Sequence, residues 1–373
     1  MKIAGLRWTL YALPFTAVLR TAQSDWRTRD GAILRLITGD GAVGIGDVAP
    51  LPAHGTAKQA DCLAALDRIA PELLGLDFAA LAPIVDAMLE RDPDLAPLAC
   101  AIDVAAWDAR ARSTAVSVAR LWGQDAAGTV RVNALVDAAA CGEAAKAAER
   151  AVACGFGDIK LKVGVAESVA AEMERVAAVR GAAPGARLRL DPNGSWSEPR
   201  AIETIRALAP YGIELIEQPV APGDAAALRR VREATGARIA ADESVRDVAS
   251  VRALIEAGAV DAIVIKLPVV GGPSRAREIS ALAARAGVDV IVTSAFESGV
   301  GVAAALQFAA TLPESPYAHG LATLDLLADD LIVRGLPIEN GRLSVPSASG
   351  LGVTLDVAAL ARYASGSERV LGA

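Results

Sequence analysis

Two hydrophobic rhythms divide the chain. Near the start, Ile3-Ala4-Gly5-Leu6-Arg7-Trp8-Thr9-Leu10 and Gly31-Ala32-Ile33-Leu34-Arg35-Leu36-Ile37 alternate between the faces of a half-buried strand. Thr38-Gly39-Asp40-Gly41 supplies a hairpin turn between Leu36 and Val43. Residues 56 to 90 shift to apolar spacing of three and four, the period of helices packed on one side. Together these features predict an α+β unit over residues 1–100.

From about residue 130 a repeat takes over. Apolar runs stand at residues 130–136, 159–163, 188–191, 213–217, 238–242, 262–266 and 288–292, starting about 25 to 29 residues apart. Ala/Arg/Glu-rich stretches with helical period, such as 168–180 and 274–286, separate them. Strand, helix, strand at this spacing means βα units and a parallel sheet. Seven consecutive units predict a (β/α) barrel over residues 101–335, not an open doubly wound sheet. No G-x-G-x-x-G follows the first strand. Past residue 335 the chain turns rich in Pro, Gly and Ser, and residues 336–373 are expected to pack back on the first unit.

Composition narrows the function. Hydrophobic residues make up 53% of the 373, enough for two cores, and no apolar run is long enough to span a membrane. Lys+Arg 37 against Asp+Glu 44 gives a net charge of −7, which argues against nucleic acid or an anionic membrane as partner. The N-terminus lacks a signal-peptide pattern, and Cys62, Cys100, Cys141 and Cys154 have neither CxxC nor zinc spacing, so a cytoplasmic protein with reduced, buried thiols is expected. Only His54 and His319 are present. Acid–base chemistry must therefore fall to Lys, Asp or Glu.

Barrel active sites lie at the C-terminal ends of the strands. There the sequence places Lys160-Leu161-Lys162, Asp191-Pro192-Asn193, Glu217-Gln218-Pro219, Asp242-Glu243-Ser244 and Lys266-Leu267-Pro268, an ionisable residue closing five consecutive strands. Asp191, Glu217 and Asp242 are 26 and 25 residues apart. Three neighbouring carboxylates repel unless a cation joins them, and an all-oxygen set favours Mg²⁺, then Mn²⁺. Lys162 and Lys266 stand on the second and sixth of eight strands, half a turn apart, where they would face each other across the ion. That arrangement suits removal of a proton next to a carboxylate, with Lys266 as ammonium offsetting the charge that develops. Lys160 shares a strand face with Lys162, and like-charge crowding favours the neutral amine on one of them. Arg189, on the face of Asp191, either meets a second anionic group of the substrate or forms a rim salt bridge; Asn193 continues its line. The small-residue turn Ser294-Ala295-Phe296-Glu297-Ser298-Gly299-Val300-Gly301 opens into a helix, which is an anion site or a plain helix start. His319 is placed at the eighth strand end and His54 in a surface loop. A loop over residues 19–30, carrying Arg20, Trp26 and Arg27, is expected to close over an anionic substrate.

These strand-end motifs, with Ala101-Ile102-Asp103-Val104-Ala105-Ala106-Trp107-Asp108 ahead of them, resemble the enolase superfamily and its muconate-lactonizing subgroup. The segments 294–301 and 319–327 are most similar to those of o-succinylbenzoate synthases. The resemblance implies an enolase-like α/β fold, a (β/α)7β modified TIM barrel with an N-terminal α+β capping domain. It implies Mg²⁺ on Asp191, Glu217 and Asp242, and Lys162 and Lys266 as the acid–base pair. Lys160, Asn193 and Glu243 would support them, and Arg189, Ser294, Glu297, Ser298 and Gly299 would contact substrate. The implied reaction is dehydration of 2-succinyl-6-hydroxy-2,4-cyclohexadiene-1-carboxylate in menaquinone biosynthesis, with N-succinylamino acid racemisation as a side activity. Racemases and dipeptide epimerases use the same lysines, but the epimerases carry Asp-x-Asp at the eighth strand, where this chain reads Gly320-Leu321-Ala322-Thr323 with only Asp325 nearby. A non-catalytic metal-binding barrel is a further alternative, disfavoured by the intact lysines. The expected partner is a small carboxylate; a homo-oligomer stays open.

Overall fold

The computed structural model describes residues 1–20, 25–123 and 125–372, with the backbone alone at Leu19, Arg20 and Asp25. The alternating N-terminal segments form antiparallel strands β1 (Ile3–Arg20), β2 (Asp25–Thr38) and β3 (Val43–Val48), with the expected turn between the last two. Where a loop is expected over residues 19–30, β1 and β2 instead run on as a long hairpin, pairing as far as Leu19 with Trp26 and Arg20 with Asp25. Residues 21–24 and the side chain of Arg20 lie outside the described residues; Arg27 is exposed.

The helix Ala96–Ser113 packs across β3. A Cβ on Gly44 or Gly46 would sit 1.9 and 2.1 Å from backbone oxygens of that helix, so only glycine permits this approach. Behind the sheet, Leu6, Trp8, Leu34, Leu36, Leu66 and Ile102 form part of one core.

The repeat builds a seven-stranded parallel sheet of β5 (Ala134–Val136), β6 (Asp158–Lys162), β7 (Arg187–Asp191), β8 (Ile213–Glu217), β9 (Ile239–Ala241), β10 (Ala262–Ile265) and β11 (Asp289–Val292), in chain order. A helix follows each strand, as Val169–Ala182 follows β6. The ring closes through two residues: His319 bridges to Val132 and Gly320 to Thr293, both parallel. This gives an α/β (β/α)7β barrel whose eighth strand is reduced to a bridge. The run read as one strand over 130–136 divides, because Thr129–Arg131 (β4) leaves the ring and pairs with β13 (Arg342–Ser344), which pairs with β12 (Ile338–Glu339). The last strand, β14 (Arg369–Gly372), returns to the edge of β1. Inside the barrel Leu215, Ala240, Ala262, Val264, Ile291 and Tyr317 pack into one buried cluster. By strand alternation, Glu217, Asp242, Lys266 and Thr293 share the inward face with this layer and stand above it.

Cys62 and Cys100 are buried, but Cys141 is half-buried and Cys154 exposed, so the expectation of four buried thiols fails at two positions. Among the described residues no helix is long and apolar enough to cross a membrane.

Candidate active site at the strand ends

Lys160, Lys162, Asn193, Asp242, Lys266 and Ser294 line one cavity of about 70 Å³ at the C-terminal mouth of the barrel. Its roof is the first domain's loop, through Leu51 and His54. A larger cavity, about 900 Å³, lies between that domain and the segment 271–275; none of the strand-end acids or lysines lines it.

The strand-end carboxylates meet ammonium groups. Lys160 Nζ donates to Glu217 at 2.6 Å and lies 2.8 Å from Asp191. Lys162 Nζ donates to Asp191 Oδ2 and Asn193 Oδ1, both at 2.6 Å. Lys266 Nζ donates to both oxygens of Asp242. Asp191, Glu217 and Asp242 are all buried. Burial alone would raise the Asp191 carboxyl, but Lys160 and Lys162 outweigh it and hold it well below the usual range. Glu217 is pushed up to about 7, first by burial and then by Asp191 and Asp242, against the pull of Lys160. Burial works to discharge Lys160; its three acidic neighbours prevail and raise it. Lys160 is therefore held as an ammonium between Asp191 and Glu217.

Neighbouring groups brace these residues. Asn193, at φ +47°, donates from Nδ2 to Glu243 Oε1 at 2.9 Å. Gln218, at φ +37°, accepts from the backbone N–H of Asp242 and Ser244 at 3.0 and 3.2 Å. Gln218 stands inside the strand-end motif Glu217-Gln218-Pro219 but carries no role readable from the sequence alone. Burial, then the charge of Asp242, pushes Glu243 up to about 7.

Four expected substrate contacts sit elsewhere. Arg189 is buried, but its guanidinium turns toward the strand starts, where Nε donates to Glu214 at 3.1 Å and Nη2 lies 3.8 Å from Asp158. Lys160 and Arg189 are register partners on neighbouring strands, so the two cations separate, one up and one down. The helix Gly299–Ala309 does present an anion-binding N-terminus, but protein carboxylates fill it. Ser298 donates from N and Oγ to Asp47 Oδ2 at 3.0 and 2.7 Å, and Gly299 N donates to Asp330 at 2.7 Å. Glu297 accepts from Ala295 N at 2.6 Å beneath the loop. Ser294 alone of that group reaches the cavity, with Oγ 2.6 Å from Thr323 Oγ1.

His54 corrects the opposite way. Expected on the surface, it reaches the cavity with Nδ1 3.3 Å from Lys266 Nζ. Burial, then the charge of Lys266, pushes it down to about 3. Its signal was absent because the first domain supplies it across the domain boundary. His319 is structural: it sits at the closing bridge and Nδ1 accepts from Val292 N at 2.9 Å.

The donors fit a hard divalent cation in chemistry: three buried carboxylates on successive strands whose charge is balanced by ammonium groups standing among them. Asp191 and Glu217 are held on either side of Lys160, while the ligand atoms of His54, Asp242 and Glu243 lie within 4.8 Å of one another.

Residues 8–123 match the mandelate racemase / muconate lactonizing enzyme N-terminal domain, and residues 143–359 the enolase C-terminal domain-like family. The chain belongs to the enolase superfamily, in its muconate-lactonizing subgroup. Members of this superfamily are enzymes that typically bind a divalent metal. A chloromuconate cycloisomerase of Cupriavidus necator is 32% identical over 95% of this chain and 97% of its own. An o-succinylbenzoate synthase of Thermobifida fusca is 41% identical over 56% of this chain and 64% of its own. The structure of the L-Ala-D/L-Glu epimerase of Bacillus subtilis, bound to substrate, superposes with TM-score 0.88 at 29% identity, covering 95% of this chain and 99% of that one.

Proposed function

We propose that this superfamily member dehydrates 2-succinyl-6-hydroxy-2,4-cyclohexadiene-1-carboxylate to 2-succinylbenzoate. The observation that carries this choice is the uncharged cavity wall of Thr293, Ser294, Gly320, Ala322 and Thr323. Among the described residues no carboxylate lines that wall to receive the ammonium of a dipeptide, and Asp325 is exposed beyond it. The 41% identity to the Thermobifida fusca synthase supports the same reading.

Asp191, Glu217 and Asp242 would hold the divalent ion, Mg²⁺ by their all-oxygen character. When bound, it supplies Lewis-acid stabilisation of the substrate carboxylate. Lys162, as the amine, takes the α-proton and returns a proton to the departing hydroxide on the same face. Lys266 stays an ammonium: burial lowers it, Asp242 raises it more, and the net shift is upward. Its charge offsets the negative charge growing on the substrate carboxylate. Lys160 holds Asp191 and Glu217 in place, and the cap-domain loop excludes water.

Aromatisation of the diene acid changes ultraviolet absorbance, so Mg²⁺-dependent turnover is read directly. No change, with brisk racemisation of N-succinylamino acids, would replace this reading by a two-base racemase. That second reading has one observation in its favour: lysines from β6 and β10 line the same cavity.

A further inference from the structure

His54 enters the site from the first domain on the short turn Pro52–His54. Gly55, at φ +74°, ends that turn, and the Arg246 guanidinium donates to the carbonyls of both His54 and Gly55. A Cβ at residue 55 would meet Arg246 at 2.4 Å. The loop is thus pinned to the barrel, and the imidazole's position is set by the fold.

The hydrogen bond to Lys266 then decides the imidazole's chemistry. A lysine ammonium has three donors and no acceptor. Lys266 Nζ directs two of them at the oxygens of Asp242 and lies 3.3 Å from His54 Nδ1. Nδ1 must therefore be the acceptor, and in a neutral imidazole the proton then resides on Nε2. Nε2 has no hydrogen-bond partner among the described residues, and His54 lines the cavity.

We propose that His54 has two linked roles, as a positioning residue that completes the donor set of Lys266 and as an Nε2–H donor aimed at an acceptor oxygen of the substrate, a carbonyl or carboxylate lying under the cap-domain loop. The substrate role rests on the function proposed above; the tautomer and the Lys266 contact do not. The two roles separate by substitution. His54→Asn keeps an acceptor near the Nδ1 position but is too short to place a donor where Nε2–H stands. His54→Leu removes both.

With only two histidines in the chain, long-range proton–nitrogen correlation of the ¹⁵N-labelled, Mg²⁺-loaded enzyme shows two imidazoles, and His54→Asn identifies which belongs to His54. The expected spectrum has His54 protonated at Nε2 and bare at Nδ1, with the Nδ1 signal moving in Lys266→Met. Protonation at Nδ1, an imidazolium, or a signal indifferent to Lys266→Met overturns the proposal. In kinetics, His54→Asn should raise KM about tenfold with kcat within threefold, and His54→Leu should lower kcat by roughly a further tenfold. Equal and unaltered constants in both variants would overturn the donor role. An enzyme that leaves the diene acid untouched would refute the reaction assignment instead, while the spectrum still decides His54.

Discussion

Lys160 carries its positive charge because Asp191 and Glu217 compel it, at 2.8 and 2.6 Å. Replacing it with Met leaves two buried carboxylates without that counter-ion, a loss of about 3–5 kcal/mol for a broken buried pair. Mg²⁺ should restore part of it, because an ion binding the folded state stabilises by mass action. Thermal melts should therefore show Lys160→Met far below wild type without Mg²⁺ and gaining more from Mg²⁺ than wild type does; equal gains would contradict this role. Glu297 gives a pH dependence. Burial pushes it up to about 7 from a usual value near 4.5. Below pH 4.5 both the folded and unfolded chains hold the proton; as pH rises to 7 the folded chain alone keeps it, so this contribution to stability is lost across that window. The loss is on the order of 3 kcal/mol. Denaturant melts from pH 5 to 8 should slope downward, and Glu297→Gln should flatten the slope by about that amount; an unchanged slope would remove Glu297 as the source. Residue by residue, the register of the strands made Lys162, Asp191, Glu217, Asp242 and Lys266 legible, since period two and the C-terminal strand end place them without further information. Arg189 obeyed the same period yet turned away, because the direction of a long side chain depends on charges across the sheet. His54 was invisible, its partner Lys266 being 212 positions along the chain.

At the scale of elements, the loop 294–298 and the helix after it are held by the first domain. Asp47, in β3, accepts from Ser298 N and Oγ and from Tyr11 Oη at 2.8 Å. Arg29 donates from Nε to the Phe296 carbonyl at 3.0 Å, and the Phe296 ring packs edge-on against Phe15 and Trp26. Asp47→Ala should uncap the helix Gly299–Ala309 and orphan the Tyr11 hydroxyl, lowering stability by about 2–4 kcal/mol. It should also raise KM, since Phe296 and Ser294 line the cavity. Urea unfolding and steady-state kinetics on one preparation check both, and a stability loss with KM unmoved would show that the clasp does not shape the cavity. A small-residue turn before a helix does signal anion binding, and that much was legible. Which anion fills it was not, because Asp47 and Asp330 lie far off in sequence and intercept the N–H groups first. The long β1–β2 hairpin was not legible for a related reason: Phe15 and Trp26 in its distal half pack on Phe296 of the barrel, a partner the local sequence does not contain.

The whole molecule depends on closing a ring and fastening the cap to it. Asp108 is the fastening point: it accepts from Ile45 N of β3 at 2.9 Å, Leu351 N of the C-terminal segment at 2.7 Å and Arg112 Nε at 3.0 Å, all from a fully buried position. Asp108→Ala orphans two backbone N–H groups and breaks the ion pair with Arg112, and should cost about 2–4 kcal/mol. Calorimetry should show the melting point falling for the molecule as one transition. The βα period made the barrel legible, but not the reduction of its eighth strand to His319 and Gly320, which is too short to carry any periodicity. Ring closure brings β6 and β10 to opposite sides of one cavity, and the proposed chemistry stands on the two lysines they carry. The most direct test is the rate at which the diene acid becomes aromatic in Lys162→Ala and in Lys266→Ala at saturating Mg²⁺. Both should fall by roughly 100- to 10,000-fold, with circular dichroism at the assay temperature showing each variant still folded. A near-wild-type rate in either variant would contradict the assignment of both amines to a single substrate.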